Sequence, residues 1–271
     1  MRIKTMLAAA AAGASLIATG AQAAAIGSFN GSFSMAMENL LTSQGHTVSD
    51  TETFLTPEAL ANYDIFLTAL IPFGFSGRAD THATAGEIAA LTDWLNDGGM
   101  FIITGEHSGF MDIYNSWLNP FGVTLDGVSW NYNLPVVFNT DPSDPYLANG
   151  VSGSAFPISN RGWYSELPSE AHVLAYGSDN LPFAFSLNVG DGVIIAVADT
   201  YFLSDAQINT GNAGLTFLGN AFNLAGALGN GDGGMDDGDP SEVPVPGAFL
   251  LMGSALAAFG AGGKMKRKQA A

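Results

Sequence analysis

The chain has 271 residues, contains no cysteine and carries a formal net charge of −17. The lack of cysteine excludes disulfides, thiolate metal sites and a cysteine nucleophile. Residues 24–242 hold two basic residues, Arg78 and Arg161, against all 25 acidic ones, a formal charge of −23. So acidic a segment cannot present the basic patch that a nucleic-acid partner requires. The acids indicate a solvated surface, with binding of calcium or another divalent cation as the alternative.

The first 23 residues have the pattern of a secretory signal peptide. Arg2 and Lys4 precede an apolar, alanine-rich run over residues 6–18, and Ala21-Gln22-Ala23 matches the small-x-small pattern before a cleavage site. We therefore predict that residues 1–23 are removed and that the protein is exported. Residues 24–228 then suffice for one α/β domain.

In the first half of this domain, strand patterns alternate with helix patterns. Thr56-Pro57-Glu58 predicts a capped short helix, and Thr84 and Glu87 have the spacing of a capping box. Such alternation predicts right-handed βαβ units in a doubly wound, mainly parallel sheet. The predicted strands cover 24–29, 46–48, 63–70 and 100–104, and the predicted helices cover 33–44, 57–61 and 85–96.

The second half carries weaker patterns. Residues 129–170 are rich in Asn, Pro, Ser and aromatic residues and are interpreted as loops with short strands. A glycine-containing turn at 188–192 predicts that the two strands flanking it form an antiparallel pair. The Gly/Asp-rich residues 229–242 are a predicted linker. The remaining predicted elements are helices at 110–118 and 212–228 and strands at 123–128, 172–176, 183–187 and 193–198.

Several of these segments together resemble the class I glutamine-amidotransferase-like superfamily. They include the strand at 63–70, the helix end Trp94-Leu95-Asn96-Asp97-Gly98-Gly99, and a strand that opens into Gly105-Glu106-His107-Ser108-Gly109. Residues 144–151 and 198–205 are similar to the matching later segments. The resemblance implies a flavodoxin-like or class I amidotransferase-like α/β fold, here with an antiparallel strand pair toward the C-terminus.

A doubly wound sheet binds ligands at the carboxyl ends of its strands. The predicted ligand-binding cleft therefore contains His82, Glu106, His107, Ser108, Asp199 and Thr200.

His107 occupies the position where the resemblance would place a nucleophile, and Ser108 is displaced from it by one residue. We therefore predict no catalytic residues and no cofactor. Imidazole and carboxylate groups in the cleft are acceptable metal ligands, but their spacing matches no recognised metal motif, so a metal site stays open.

The tail, residues 243–268, consists of Val243-Pro244-Val245-Pro246, an apolar run at 247–263 and a terminal cluster of Lys and Arg. The apolar run is long enough for one short transmembrane helix, whose basic end would stay in the cytoplasm. This order of parts resembles the V-P-x-P type of PEP-CTERM sorting signal. The resemblance implies recognition and cleavage by an exosortase-type enzyme, and export associated with extracellular polysaccharide. The protein would be anchored in the inner membrane and then reach the cell surface or the extracellular space.

Two functions are consistent with these patterns. The favoured one is an exported surface or matrix protein whose non-catalytic α/β domain binds a ligand or partner. The alternative is a hydrolase that acts on an envelope glycan or ester through the strand-end cleft.

Overall fold

A computed structural model describes residues 23–30, 35–68, 80–105, 110–129, 134–141, 143–158, 161–199 and 213–228. The predicted signal peptide, linker, sorting motif and transmembrane helix lie outside these residues. No helix within the described ranges is long and apolar enough to cross a membrane. The strands are β1 (Ala25–Phe29), β2 (Thr47–Glu52), β3 (Ile65–Thr68), β4 (Met100–Thr104), β5 (Thr124–Ser129), β6 (Leu134–Phe138), β7 (Ala155–Ile158), β8 (Arg161–Glu166), β9 (His172–Gly177), β10 (Pro182–Val189) and β11 (Gly192–Val197). The α-helices are α1 (Met35–Ser43), α2 (Pro57–Leu60), α3 (Ala85–Asn96), α4 (Met111–Leu118) and α5 (Ala213–Leu228).

Nine strands form one mixed sheet in the order β2-β1-β3-β4-β11-β10-β9-β6-β7. The first five of these strands are parallel to one another, and the remaining pairings are antiparallel. A separate antiparallel pair is formed by β5 and β8. The fold is therefore mixed α/β, as predicted, and four of the five parallel strands come from the segments whose strand–helix alternation indicated a parallel sheet.

The antiparallel half is larger than predicted. The hairpin of β10 and β11 is present, but β9, β6 and β7 continue the sheet beyond it. In β6 and β7 the register sets Pro135 opposite Pro157. Proline cannot donate to the ladder and is rare inside strands, so these two short strands carry a weak sequence signal.

The core lies on the central parallel strands. Every residue of β3, β4 and β11 is buried, which explains their continuous apolar sequences. Each large apolar side chain buried here contributes roughly 1.5 to 3 kcal/mol to folding. Gly192, at the start of β11, is in close contact with the carbonyl oxygens of Gly99 and Leu95, so no side chain fits at that position.

The helix starts follow the predicted capping. Thr56 Oγ1 accepts a hydrogen bond from the backbone N–H of Ala59 at 3.2 Å, which caps α2. The capping box of Thr84 and Glu87 is complete at the start of α3. These contacts confirm both predicted N-termini and fix the position of the chain just before α3.

Helix α5 packs through aromatic rings. Phe217 lies 5.2 Å from the ring centroid of Phe138, and Phe222 lies 5.9 Å from that of His46. Burial lowers the pKa of His46, which favours the neutral imidazole beside this apolar helix. The helix therefore belongs to the same core as the sheet.

Candidate functional site

Buried hydroxyl groups lie at the carboxyl ends of three adjacent parallel strands. Ser28 Oγ at the end of β1 donates to the Leu67 carbonyl at 2.6 Å. Thr68 Oγ1 at the end of β3 donates to the Ile102 carbonyl at 3.4 Å, and Thr104 Oγ1 at the end of β4 donates to the Thr68 carbonyl at 3.1 Å. Burying a hydroxyl is costly unless it is hydrogen-bonded, and these three are. The carboxyl ends of these strands therefore carry buried polar groups with satisfied hydrogen bonds, whereas the rest of the sheet core is apolar.

His82 lies between two exposed carboxylates at the same edge. Its Nδ1 is 2.6 Å from Asp80 Oδ1, and its Nε2 is 3.5 Å from Asp112 Oδ2 near the start of α4. Asp80 also accepts a hydrogen bond from the backbone N–H of His82 at 2.9 Å. The hydrogen bond to Asp80 raises the pKa of His82, and the contact with Asp112 adds to this effect. The arrangement therefore favours an imidazolium in which both ring nitrogens carry protons.

The chain around His82 is held against α4. Ser116 Oγ accepts a hydrogen bond from the backbone N–H of Ala83 at 2.9 Å. The buried indole of Trp117 donates to the Thr81 carbonyl at 3.2 Å. Both contacts come from consecutive residues of α4, so they fix the segment that carries the histidine against this helix.

Asp199 lies at the carboxyl end of β11 and is buried, with 2% of its surface exposed. The preceding carbonyl, that of Ala198, accepts a hydrogen bond from the backbone N–H of Gly162 in β8 at 3.0 Å. Leu125 in β5 packs over both Gly162 and Gly105, the residue that follows β4. The small sheet of β5 and β8 therefore covers the strand ends of β4 and β11.

The predicted site residues are thus placed by different contacts. His82 pairs with Asp80 and Asp112, which the sequence did not single out, whereas Asp199 lies beneath the small sheet. Glu106, His107, Ser108 and Thr200 lie outside the described residues, so their predicted proximity stays a prediction. Within the described ranges, no group of three or more histidine and acidic side chains is arranged to hold a metal ion.

Two large apolar side chains are exposed at the same edge. Met35 is 77% exposed and begins α1, which follows β1 in the chain. Phe54 is 49% exposed and follows the end of β2. Sequence reasoning missed both residues, and Phe54 carries no distinguishing signal because the adjacent Leu55 is equally apolar but buried.

Hydrogen bonds connect these positions along the edge. The backbone N–H of Asn30 donates to the Glu52 carbonyl at 2.8 Å, which joins the end of β1 to the end of β2. The backbone N–H of Leu55 donates to Glu87 Oε1 at 3.2 Å, which joins the segment carrying Phe54 to the start of α3. We call Met35, Phe54, Asp80, His82 and Asp112 the edge rim.

A second ion pair lies in the antiparallel half. His172 Nδ1 is 3.0 Å from Asp144 Oδ2, and the side chain of Asp144 is buried. Burial raises the pKa of Asp144. Asp144 Oδ1 also accepts a hydrogen bond from the backbone N–H of Tyr146 at 2.8 Å, which caps the 3-10 helix Pro145–Leu147. This pair therefore anchors a turn and lies in a different half of the sheet from the edge rim.

Comparisons with known proteins place the fold. No family model matches the chain, and no curated protein matches it. The N-terminal domain of mmIFT52 is similar in structure, with a TM-score of 0.58 and 15% identity over 74% of this chain and 96% of that one. A cytoplasmic protein of Salmonella typhimurium LT2 has a TM-score of 0.56 and 13% identity over 74% of this chain and 99% of that one. A ThuA-like protein from Bacteroides uniformis has a TM-score of 0.50 and 13% identity over 77% of this chain and 93% of that one. At such identities the likeness extends to the fold alone.

Proposed function

We propose that the chain is an exported envelope protein whose α/β domain binds a ligand or partner at the edge rim and does not catalyse a reaction. The observation that carries this proposal is the composition of the rim: exposed apolar side chains follow the ends of β1 and β2, and two exposed carboxylates flank His82, at the edge of the sheet where doubly wound folds bind ligands. Aromatic residues and methionine are enriched at protein interaction surfaces.

The geometry of His82 argues against a role in hydrolysis. A general base needs a nitrogen with a free lone pair, and carboxylates lie at both ring nitrogens of this histidine. The nearest expected hydroxyl nucleophile, Ser108, stands one residue away from the position that a nucleophile elbow would use. Leu125 also fills the space directly above Gly105. A binding surface requires none of the proton transfers that these features hinder.

The finer fold assignment is part of the same proposal. The five parallel strands with polar groups at their carboxyl ends support a doubly wound, flavodoxin-like or class I amidotransferase-like arrangement. Export rests on the signal-peptide pattern and on the tail that resembles a PEP-CTERM signal. The proposed partners outside the domain are an exosortase-type sorting enzyme, the membrane through the C-terminal helix, and extracellular polysaccharide.

Binding of the neutral dye Nile red tests the rim as an apolar surface. The full chain with Met35→Ser and Phe54→Ser should give lower dye fluorescence than the parent chain. Val137→Ser is the matched control, because Val137 is 38% exposed but lies in β6 in the antiparallel half. The apolar tail is common to all variants, so only the differences between them count. Equal fluorescence losses in the rim variant and the control would contradict the proposal.

The hydrolase alternative has its own test. The purified full chain should not release p-nitrophenol from p-nitrophenyl acetate or from p-nitrophenyl glycosides above the buffer rate. If the parent chain shows turnover and Ser108→Ala or Glu106→Ala abolishes it, the hydrolase alternative would replace the binding proposal.

A further inference from the structure

The turn at Asn149-Gly150 is built around an unusual backbone conformation. Asn149 has φ 60° and Gly150 has φ 86°, both in the left-handed region that glycine and asparagine tolerate best. The turn follows the 3-10 helix Pro145–Leu147 and lies against α5. Asn149 is exposed, so solvent reaches the turn.

The amide of Asn149 belongs to a fixed hydrogen-bond network. Asn220, a buried residue in α5, uses its Nδ2 to donate to the carbonyls of Tyr146 and Ala148, each at 3.0 Å. Those two bonds fix which end of the Asn220 amide is the nitrogen. Its Oδ1 must then face Asn149, whose Nδ2 donates to it at 2.7 Å. We call these contacts between the turn and α5 the asparagine clasp.

We propose that Asn149 is a site of spontaneous deamidation whose product opens the asparagine clasp. In an Asn-Gly pair, no side chain on the following residue shields its backbone nitrogen, so that nitrogen can reach the asparagine side chain. The Gly150 nitrogen bonds to Asn149 Cγ, the Cγ–Nδ2 bond breaks, and the amide leaves as ammonia with the proton from the Gly150 nitrogen. Water then opens the resulting succinimide at either carbonyl and leaves an aspartyl or isoaspartyl residue.

The product cannot keep the clasp. A carboxylate at position 149 offers only acceptor oxygens, and the facing Oδ1 of Asn220 is also an acceptor. Asn220 cannot turn its amide over without losing both bonds to the backbone carbonyls of Tyr146 and Ala148. Deamidation therefore sets two acceptors against each other next to a buried side chain, and α5 loses one of the three hydrogen bonds of the clasp.

Peptide mapping of the full chain tests the chemistry. After incubation at mildly alkaline pH, the mass of the peptide that contains position 149 should rise by the difference between OH and NH2. The peptide should also contain isoaspartate. Asn180 is the internal control, because it also has a left-handed backbone, with φ 62°, but precedes Leu181. Position 149 should deamidate at least tenfold faster than position 180. Equal rates, or an unmodified Asn149 in aged protein, would overturn the proposal.

Two variants test the structural consequence. Asn149→Asp should lower the melting temperature and the hydrogen-exchange protection of α5. Asn149→Gly keeps the backbone conformation and removes the hydrogen bond without adding a charge, so its loss should be smaller. Asn220→Ala should raise the deamidation rate at position 149, because it frees the amide. An Asn149→Asp protein with the melting temperature and α5 protection of the parent would show that the product leaves the clasp closed.

Discussion

Glu87 connects three segments at the start of α3, and its removal tests how the edge is held together. One carboxylate oxygen accepts hydrogen bonds from the backbone N–H and the hydroxyl of Thr84, at 3.0 and 2.9 Å. The other accepts from the backbone N–H of Leu55 at 3.2 Å. The side chain is only 3% exposed. Replacing it by alanine therefore removes a helix cap and leaves the Leu55 N–H buried without this acceptor.

The magnitude follows from those two losses. Loss of a cap costs about 0.5 to 2 kcal/mol, and a buried donor left unsatisfied costs about 1 to 3 kcal/mol. We therefore expect Glu87→Ala to lower the free energy of unfolding by roughly 2 to 4 kcal/mol, since the two terms partly overlap. For a domain of this size, that corresponds to a fall in melting temperature of roughly 6 to 12 °C.

Urea unfolding of the full chain, followed by circular dichroism, measures this change. Glu87→Gln keeps one acceptor oxygen for the capping box, but its NH2 group faces the other donor, so its loss of stability should lie between those of the parent and Glu87→Ala. Glu58→Ala removes another first-turn acid, from α2, but that residue is exposed and its loss should cost less than about 0.5 kcal/mol. If Glu87→Ala cost no more than Glu58→Ala, the reasoning about the shared carboxylate would be wrong.

Four further predictions follow from the charge and the packing. Sodium chloride should raise the melting temperature, because it screens the repulsion among the acidic side chains of residues 24–242. A melting temperature that does not change with salt would refute this. Gly192→Ala should destabilise strongly, because a Cβ there would collide with the backbone carbonyl oxygens of Gly99 and Leu95. Gly219→Ala should stabilise α5 by roughly 0.5 to 1 kcal/mol in thermal melts, because a Cβ there would meet no packed neighbour within 4 Å. Because the pKa of His82 is raised in the folded protein, this residue should add stability below about pH 6.5, and that stability should be lost as the pH rises through the folded pKa. Asp80→Asn should lower the pKa of His82 measured by NMR, and an unchanged pKa would contradict the pairing. The intact mass of the envelope form should show that the signal peptide and the sorting tail are both removed. An envelope form that retains the basic tail would contradict the predicted cleavage of the tail.

The parallel half of the fold could be predicted because its signals are local. The capping box of Thr84 and Glu87 fixes the start of α3 within a few residues of sequence. The apolar run of β4 needs no partner to be recognised as a buried strand. The position of Asp199 just after β11 likewise follows from chain order.

The remaining features depend on contacts between residues far apart in the sequence. Pro135 and Pro157 weaken the strand signals of β6 and β7, so only their pairing reveals them. The ion pair of Asp144 and His172 joins a turn to a strand 28 positions later, and no local pattern points to it. The contact of His82 with Asp112 likewise depends on how α4 packs beside the segment before α3.

Site-specific photo-crosslinking in producing cells tests the central claim most directly. A photoreactive residue in place of Phe54 samples the edge rim, and one in place of Val137 samples an exposed apolar position in the antiparallel half. Binding at the rim predicts a discrete crosslinked product of higher mass from position 54, with much less from position 137. Equal yields at the two positions, or none at position 54, would contradict the claim that this edge is the binding surface.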